Sequence, residues 1–477
     1  MTAASDTPAD RAPRRPIPFG IAVLPLVAVA LLLGVGYGIY KIKPQVLLVT
    51  AAFLTGGLGA ALKFTWAEME QGIVESIRKA MPAILIMLTV GILIGAWMAA
   101  GTIPMVIYFG LKLISPQFFL VTACFVCSVT ALATGTSWGT VGTVGVAFIG
   151  IAMGLGIPLG PAAGAIVCGA YFGDKMSPFS DIPNLAAVTA GANLFDHIKH
   201  MMGSAVPGWL LSLIVFFFVG LRSGGKTIDS PAMALILDTL KKNFRFSVWL
   251  LLPMLIVFYL AFTKRPTIPG MLLSAVLAAA LALIFQHESL VRIAAAVNSG
   301  YPARTGVEIV DKLLARGGLM SMMETQLVAF TAFAFGGIMQ KTGMLAVILD
   351  RVMALARRTG SLVAVTIGAC VATALVTGSS YLSVILPGEL LGPIYRKKGL
   401  AAKNLSRIID ECGAIIVPLI PWSMAGVYIT GALGVPVLSY LPWAIGNYAA
   451  IVILAAYGFT GFTMAPKIRD DETQAGS

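Results

Sequence analysis

Charged side chains are scarce in this chain of 477 residues. Asp, Glu, Lys and Arg make up 11% of it, whereas 58% of the residues are hydrophobic. An average soluble domain has roughly 25% charged residues. The composition therefore argues against a soluble enzyme or binding domain and predicts a membrane protein that crosses the bilayer many times.

Histidine and cysteine are also few, with three and five residues. The odd number of cysteines, all in or beside apolar sequence, suggests no disulfide framework. Cys124 and Cys127 have the spacing of a zinc or redox half-site, but no second pair accompanies them, and buried thiols are the favoured interpretation. His197 and His200 also lack further ligands nearby, so we interpret them as part of an interfacial loop or helix start. We expect no zinc, no transition metal and no cofactor.

Two further motifs are missing from the sequence. It has no Walker-type phosphate loop, which argues against a pump driven by ATP within this chain, and no nucleophile and base spaced for catalysis. We therefore expect a transporter that is not an enzyme. A membrane-embedded enzyme that uses the acids or the two histidines is a minor alternative.

Apolar runs of about 20 residues, the length that crosses a hydrocarbon core of about 30 Å, recur along the whole chain. Their continuity predicts helices, because the strands of a membrane barrel alternate in polarity. The expected fold class is an all-α polytopic membrane protein with about 11 to 13 transmembrane helices.

Polar linkers divide this sequence into blocks. The predicted blocks are an N-terminal tail (1–18), a first helix pair with an amphipathic linker (19–80), a first transport bundle (81–222), a linker with a second helix pair and a second amphipathic linker (223–320), a second transport bundle (321–463) and a C-terminal tail (464–477).

The net charge of +12 comes from basic residues that lie between the apolar runs. This distribution is typical of cytoplasmic loops in a membrane protein, so we expect a lipid bilayer and no nucleic acid as the partner. Arg11, Arg14 and Arg15 precede the first apolar run and predict a cytoplasmic N-terminus.

An internal repeat links the two bundles. "CSVTALATGTS", Cys127–Ser137, matches "CVATALVTGSS", Cys370–Ser380, at seven of eleven positions, and the offset between 127 and 370 is 243 residues. The triplets at 178–180 (PFS) and 421–423 (PWS) have the same offset. Repeated halves are typical of secondary transporters, which bind their substrate where the halves meet, and such halves are commonly inverted. We expect inverted repeats here.

Hydroxyl groups and glycines interrupt the apolar sequence at both copies of the repeat. The first copy supplies Thr134, Thr136 and Ser137, and the second supplies Thr377, Ser379 and Ser380. Irregular backbone within a membrane lines cavities or is buried in protein, so these hydroxyls and the freed carbonyls are candidate ligands for a small cation. Close helix packing by small residues is the alternative.

The stretch "GAYFGDKMSPFSD" at 169–181 adds charge to the first copy. Asp174 and Asp181 are candidate Na⁺ ligands, because ionisable residues within a membrane normally face a cavity or a partner. Pro178 predicts a broken helix between them. Lys175 is a charge partner for Asp174 or for another acid. A solvated loop after a short helix is the alternative.

Polar residues close to this stretch and its counterpart complete the candidate site. Ser177 and Ser180 lie between the two aspartates, and Ser423 is the counterpart of Ser180. The second copy has no acid at the matched positions, but Asp410 and Glu411 precede it. They are candidate ligands, with a loop salt bridge to the basic cluster that ends at Arg407 as an equal alternative.

The region 134–181, from "TGTSWGTVG" to "GDKMSPFSD", resembles the signature of the NhaC family of Na⁺/H⁺ antiporters, within the ion transporter superfamily. The resemblance continues through "TGSSYLSVILPGE" and "IIDECGAIIVPLIPWS". It implies a carrier of the prokaryotic cytoplasmic membrane that uses Na⁺, H⁺ or both as coupling ions. It also implies two inverted repeats with re-entrant hairpins and broken helices, commonly in a homodimer.

One segment departs from the family pattern. Where the family has an "SDTTN"-like stretch this chain reads "SDIPN", so Ile182 and Pro183 replace hydroxyl residues before the candidate ligand Asn184. The resemblance therefore does not fix ion stoichiometry or substrate identity for this chain. Members of the family also include carriers of organic acids or amino acids.

These features predict a secondary transporter with an Na⁺/H⁺ antiport activity. A carboxylate binds Na⁺ when ionised and H⁺ when protonated, and burial favours the protonated form, so the two ions would compete for the aspartates. The alternative is an Na⁺- or H⁺-coupled carrier or exchanger of small organic acids, such as malate and lactate, or of amino acids.

Overall fold

A computed structural model of the protein describes residues 16–37, 39–40, 42–223, 230–263, 265–355 and 358–465. Within these ranges the chain is predominantly helical and contains no strand, which confirms the predicted all-α class. Arg11, Arg14 and Arg15 lie outside the described residues. The predicted cytoplasmic N-terminus and the predicted block boundaries stay predictions.

The helices of the first part of the chain follow the apolar runs. They are α1 (Phe19–Leu31), α2 (Pro44–Ala61), α3 (Trp66–Ala100), α4 (Thr102–Leu113), α5 (Phe119–Thr134), α6 (Ser137–Thr140), α7 (Val146–Gly154), α8 (Leu159–Met176), α9 (Asp181–Ala190) and α10 (Leu194–Ser223). A π-helical segment, Val141–Gly145, joins α6 to α7, and another, Leu32–Tyr37, extends α1.

The second part of the chain has the same character. Its helices are α11 (Ser230–Asn243), α12 (Leu252–Phe262), α13 (Thr267–Phe285), α14 (Leu290–Ser299), α15 (Glu308–Leu314), α16 (Leu319–Lys341), α17 (Met344–Met353), α18 (Thr359–Thr377), α19 (Ser380–Lys397), α20 (Ala402–Ile415), α21 (Met424–Leu433), α22 (Val437–Tyr440) and α23 (Ile445–Thr460).

Helices that match the thickness of a bilayer dominate the described part of the chain. Nine are long and apolar enough to span a membrane, or up to 12 if three bent pairs are each one span. One bent pair joins the helical segment that begins with α20 to α21 at an angle of 48°. The broken helices expected from the prolines are therefore present, and the upper end of this range overlaps the expected number of spans.

The helix ends repeat at the offset of the sequence motifs. Helix α5 ends before Gly135 and α18 ends before Gly378, with φ values of 69° and 61° that favour glycine. Helices α9 and α21 begin at Asp181 and Met424, again 243 residues apart. The matching motifs therefore form matching local structures.

In each half the two breaks pack against one another. A Cβ atom on Gly135 would lie 2.7 Å from the carbonyl carbon of Phe179, so only glycine fits beside the α8–α9 break. In the second half the amide of Met424 donates to the Gly378 carbonyl at 2.9 Å. These paired breaks bring the polar residues of each repeat together.

Helices α3 and α16 pack in antiparallel directions. Near one end a Cβ on Gly72 would lie 2.6 Å from the Gly337 carbonyl oxygen. Towards the other end the Gly318 amide donates to the Gly91 carbonyl oxygen at 2.7 Å. Residue numbers thus rise along α3 as they fall along α16. The inversion of the complete halves stays a prediction.

Close packing of α5 on α8 generates a stability prediction. A Cβ on Gly169 would lie 2.1 Å from the Cys124 carbonyl oxygen. We expect Gly169→Ala to lower the free energy of unfolding by about 1 to 3 kcal/mol through overpacking. Thermal unfolding of the detergent-purified protein measures the effect. The control is Gly57→Ala, whose Cβ meets nothing within 4 Å; equal unfolding temperatures for the two variants would contradict the prediction.

Candidate functional site

A cavity of about 630 Å³, here called cavity 1, contains the centre of the predicted site. Both repeats contribute to its wall. The candidate residues that line it are Thr134, Thr136, Ser137, Asp174 and Asp181 of the first repeat and Ser380 of the second.

Asp174 lies in the last turn of α8 and is only 8% exposed. Its Oδ1 atom has no hydrogen-bond partner among the described residues, and neither has the buried hydroxyl of Ser180. Ser137 and Ser180 are close enough to interact with the carboxyl group. A buried carboxylate oxygen without a donor, beside hydroxyl oxygens, is the environment that a small hard cation prefers.

Asp181 begins α9 on the other side of the break and is exposed where it lines cavity 1. Its Oδ2 atom accepts a hydrogen bond from the hydroxyl of Tyr381 in α19. Asn184 stabilises the break itself, because its amide nitrogen donates to the carbonyls of Pro178 at 3.1 Å and Ser180 at 2.6 Å. The first break therefore holds two carboxylates beside one cavity.

The equivalent serines of the two breaks make different contacts. Ser423 donates to the Val417 carbonyl at 2.5 Å and accepts from the Gly426 amide at 2.9 Å, so it caps α21. Ser180 makes no such cap for α9. The Ser180 hydroxyl is therefore available to other partners beside Asp174, whereas the Ser423 hydroxyl already forms hydrogen bonds within its own break.

Other predicted hydroxyls stabilise the backbone where helices end. Ser177 accepts from the Phe179 amide at 3.3 Å, and Ser379 caps α19 by accepting from Leu382 at 3.4 Å. Thr377 accepts from the Ser379 amide at 3.2 Å. Together with Ser423 these residues lie outside the lining of cavity 1. Thr136 does both, because it lines the cavity and caps α6.

Lys175 forms a buried ion pair with the second half of the chain. Its Nζ lies 3.2 Å from Oε1 of Glu411, and the side chains are 5% and 0% exposed. The hydroxyl of Ser204 in α10 donates to the other carboxylate oxygen. Glu411 is therefore the acid that Lys175 neutralises. It lies in α20 and not in a loop.

Asp410 is also buried in α20, and its partner is a residue that the sequence analysis did not include in the site. Nε2 of His197, at the start of α10, lies 3.1 Å from Asp410 Oδ2, while Nδ1 lies 2.9 Å from the Ser406 hydroxyl. His197 begins a helix, as expected, but it is fully buried. The contact joins residues 213 positions apart, and no local pattern indicates it.

Tyr381 is a second functional candidate that sequence reasoning missed. It lies within the motif "TGSSYLSVILPGE", from which only the smaller hydroxyl residues Thr377, Ser379 and Ser380 were predicted as ligands. Among the described residues, no three or more His, Cys, Asp or Glu side chains form a cluster that could hold a metal ion.

Comparison of the sequence with known proteins identifies the family of this chain. The sequence model of the Na⁺/H⁺ antiporter family matches residues 169–462, which include the breaks after α8, α18 and α20 and both buried acids of α20. This chain belongs to the Na⁺/H⁺ antiporter family. The resemblance to NhaC is thereby confirmed.

Three relatives that are named as antiporters align over nearly the whole chain. An uncharacterized Na⁺/H⁺ antiporter of Haemophilus influenzae is 41% identical, over 93% of this chain and 96% of the relative. The Na⁺/H⁺ antiporter NhaC of Alkalihalophilus pseudofirmus is 36% identical, over 89% and 91%. The malate-2H⁺/Na⁺-lactate antiporter of Bacillus subtilis is 35% identical, over 94% and 96%.

The family and the helix content together establish what general class of protein this chain is. The relatives are antiporters, and the described chain contains nine to 12 possible membrane spans. The protein is a multi-pass membrane protein and a secondary antiporter. The relatives differ in the solutes that their names give, so the class does not specify a substrate.

The buried pair between Lys175 and Glu411 generates the second prediction. Glu411→Gln leaves a buried ammonium without a counter-charge, and the expected loss of stability is about 3 to 5 kcal/mol. Lys175→Met combined with Glu411→Gln removes both charges, and we expect it to recover most of that loss. Thermal unfolding and the yield of monodisperse protein are the measurements.

A matched control is the exposed pair of Lys43 and Glu324, which are 2.7 Å apart with side chains 72% and 62% exposed. Glu324→Gln should cost about 0 to 1 kcal/mol, because water screens an exposed pair. A double variant as unstable as Glu411→Gln alone would show that the two charges do not compensate one another.

Proposed function

We propose that this protein exchanges Na⁺ for H⁺, with the two ions competing for Asp174 and Asp181 in cavity 1. The observation that carries the proposal is the buried Asp174 carboxylate, whose Oδ1 atom has no donor among the described residues. Ser137 and Ser180 lie beside it, and Asp181 lies across the break. Two carboxylates with neighbouring hydroxyls suit Na⁺ when ionised and H⁺ when protonated.

Competition at one site is sufficient for antiport. An unpaired carboxylate is costly to move through an apolar barrier, and either a proton or Na⁺ reduces that cost by neutralising it. The loaded site therefore changes its exposure from one face to the other, whereas the empty, charged site does not. The site therefore needs a bound ion each time it changes its exposure, and this requirement couples the Na⁺ flux to the H⁺ flux.

The same proposal includes the cellular setting. We place the protein in the prokaryotic cytoplasmic membrane with a cytoplasmic N-terminus, acting as a carrier and not as an enzyme. A homodimer is the expected assembly, as the family resemblance implies.

Neutralising the aspartates tests this function. In everted vesicles, addition of Na⁺ should dissipate a preformed pH gradient. We expect Asp174→Asn to abolish this response, because a neutral amide replaces the buried carboxylate. We expect Asp181→Asn to weaken it. The control is Asp350→Asn, an exposed carboxylate of α17 outside cavity 1. Full activity in both site variants would refute the site.

A second candidate function is exchange of a small organic acid or amino acid. The size of cavity 1, about 630 Å³, lies within the roughly 300 to 1,000 Å³ of small-molecule sites. Lys79 and Arg265 also line it, so two cationic groups are available to bind a carboxylate. A relative named for malate and lactate supports the same candidate.

Counterflow in proteoliposomes separates the two candidates. Vesicles loaded with unlabelled malate, lactate or an amino acid should accumulate the labelled solute if an organic substrate is carried, and Arg265→Gln should then raise its KM. Under the leading proposal no organic solute is accumulated while Na⁺ still moves. Accumulation that is independent of Na⁺ and H⁺ would contradict the leading proposal and support exchange of organic solutes without ion coupling.

A further inference from the structure

A second cavity of similar size has no role in the function proposed above. It has a volume of about 650 Å³ and is here called cavity 2. Its lining includes the ion pair of Lys43 and Glu324, the partly buried Arg316, and Pro421 of the second break. Cavity 1 has a volume of about 630 Å³, so the two cavities are comparable in size.

The linings of the two cavities correspond through the internal repeat. Helix α3 contributes residues 79, 82, 83 and 86 to cavity 1, and α16 contributes residues 321, 324, 325 and 328 to cavity 2. Each residue of the second set lies 242 positions after its counterpart. Tyr37 and Pro44 in cavity 2 likewise correspond to Leu260 and Thr267 in cavity 1, at an offset of 223. The part of cavity 2 that α16 and the start of α2 form is therefore equivalent to the part of cavity 1 that α3 and the start of α13 form.

The corresponding lining residues of α3 and α16 follow one another in opposite order along the bundle. Helices α3 and α16 are antiparallel, because Gly72 packs on Gly337 and Gly91 on Gly318. In this register Lys79 lies towards the end of α16 that contains Gly337. Its counterpart Ser321 lies near the opposite end of the contact, where α16 begins.

One helix contributes to both cavities. In α21 Met424 lines cavity 1, while Val427 and Thr430 line cavity 2. Tyr428 lies between these positions in sequence and is fully buried. The first turn of α21 therefore reaches one cavity and its later turns reach the other.

Tyr428 packs on Trp138, which lines cavity 1. The two rings are stacked with centroids 4.5 Å apart and planes 8° apart. The Tyr428 hydroxyl also donates to the Trp138 carbonyl at 2.6 Å. A Cβ on Gly142 would lie 2.4 Å from that hydroxyl, so the glycine makes room for the ring.

We propose that cavity 2 is the access path from the opposite face of the membrane, and that the Trp138–Tyr428 stack is the barrier between it and cavity 1. This inference rests on the proposed function in one respect, that the transported cation occupies cavity 1. The barrier joins the two repeats, since Trp138 belongs to α6 and Tyr428 to α21. A π-helical segment, Val141–Gly145, directly follows α6, and such segments are frequent at functional sites.

Cysteine labelling from each side of the membrane tests the direction of the cavities. The chosen variants are Ala261→Cys in cavity 1 and Ser321→Cys in cavity 2. All five native cysteines are buried, so the background is low. A charged, membrane-impermeant maleimide is added to intact cells and to everted vesicles. We expect each cysteine to react from one face only, and the two cysteines to react from opposite faces.

Val276→Cys is the control for lipid exposure. Val276 is 68% exposed on α13 and lines neither cavity, so a thiol there should react from neither face. Labelling of both cavity cysteines from the same face would overturn the assignment of cavity 2.

A second experiment tests the barrier in the Ala261→Cys background. Tyr428→Leu removes the stacked ring and the hydroxyl, and we expect the cysteine then to react from both faces. Tyr428→Phe retains the ring, and we expect it to retain labelling from one face. Trp138→Leu replaces the other ring, so the test survives if one variant fails to fold. Unchanged one-sided labelling in folded Tyr428→Leu and Trp138→Leu would overturn the barrier.

The labelling results do not depend on substrate identity. If the parent protein moves no Na⁺, the proposed function fails, while opposite labelling still supports the two access paths. If Na⁺ moves but both cysteines react from one face, the inference fails and the proposed function stands.

Discussion

A helix that ends within a bilayer must satisfy its own terminal backbone groups, because the surrounding hydrocarbon offers no water. This constraint organises the structure around the breaks that follow α5, α8, α18 and α20. Hydroxyl side chains meet it locally, as when Ser379 caps α19 and Ser423 caps α21. Packing meets the rest, since the break beside Gly378 accepts a hydrogen bond from the other break of its own half. The polar residues of the motifs are thus needed for the architecture before any ion is considered.

The first repeat satisfies the same constraint differently, and this difference produces the candidate site. Asn184 donates to the carbonyls of its break, and the Ser180 hydroxyl does not cap α9. Asp174 then lies beside an available hydroxyl in place of the valine found at the matched position of the second repeat. One copy of the motif is structural, and the other combines structure with buried charge.

Buried charges outside cavity 1 connect the helices that surround it. Lys175 directly follows Asp174 and pairs with Glu411 of α20, while Asp410 of the same helix contacts His197 of α10. Such contacts are costly to leave incomplete, because an unpaired charge in an apolar interior is strongly destabilising. The end of α8 is therefore linked to α10 and α20. A displacement of one of these helices would shift the position of Asp174.

Much of the fold could be predicted from the sequence because its causes are local. Long apolar runs require helices in a bilayer, Pro178 and Pro421 disrupt them, and the repeated motifs produce matching helix ends at Gly135 and Gly378. Candidate ligands could be named for the same reason, since aspartates and hydroxyls are conspicuous in apolar sequence. Only the tertiary structure decided which of them share a cavity. The ion pair of Lys175 with Glu411, the contact of His197 with Asp410 and the stack of Trp138 on Tyr428 each join residues more than 200 positions apart. Such pairings depend on how helices pack, and helix packing depends on the shapes of all the facing side chains rather than on any local pattern.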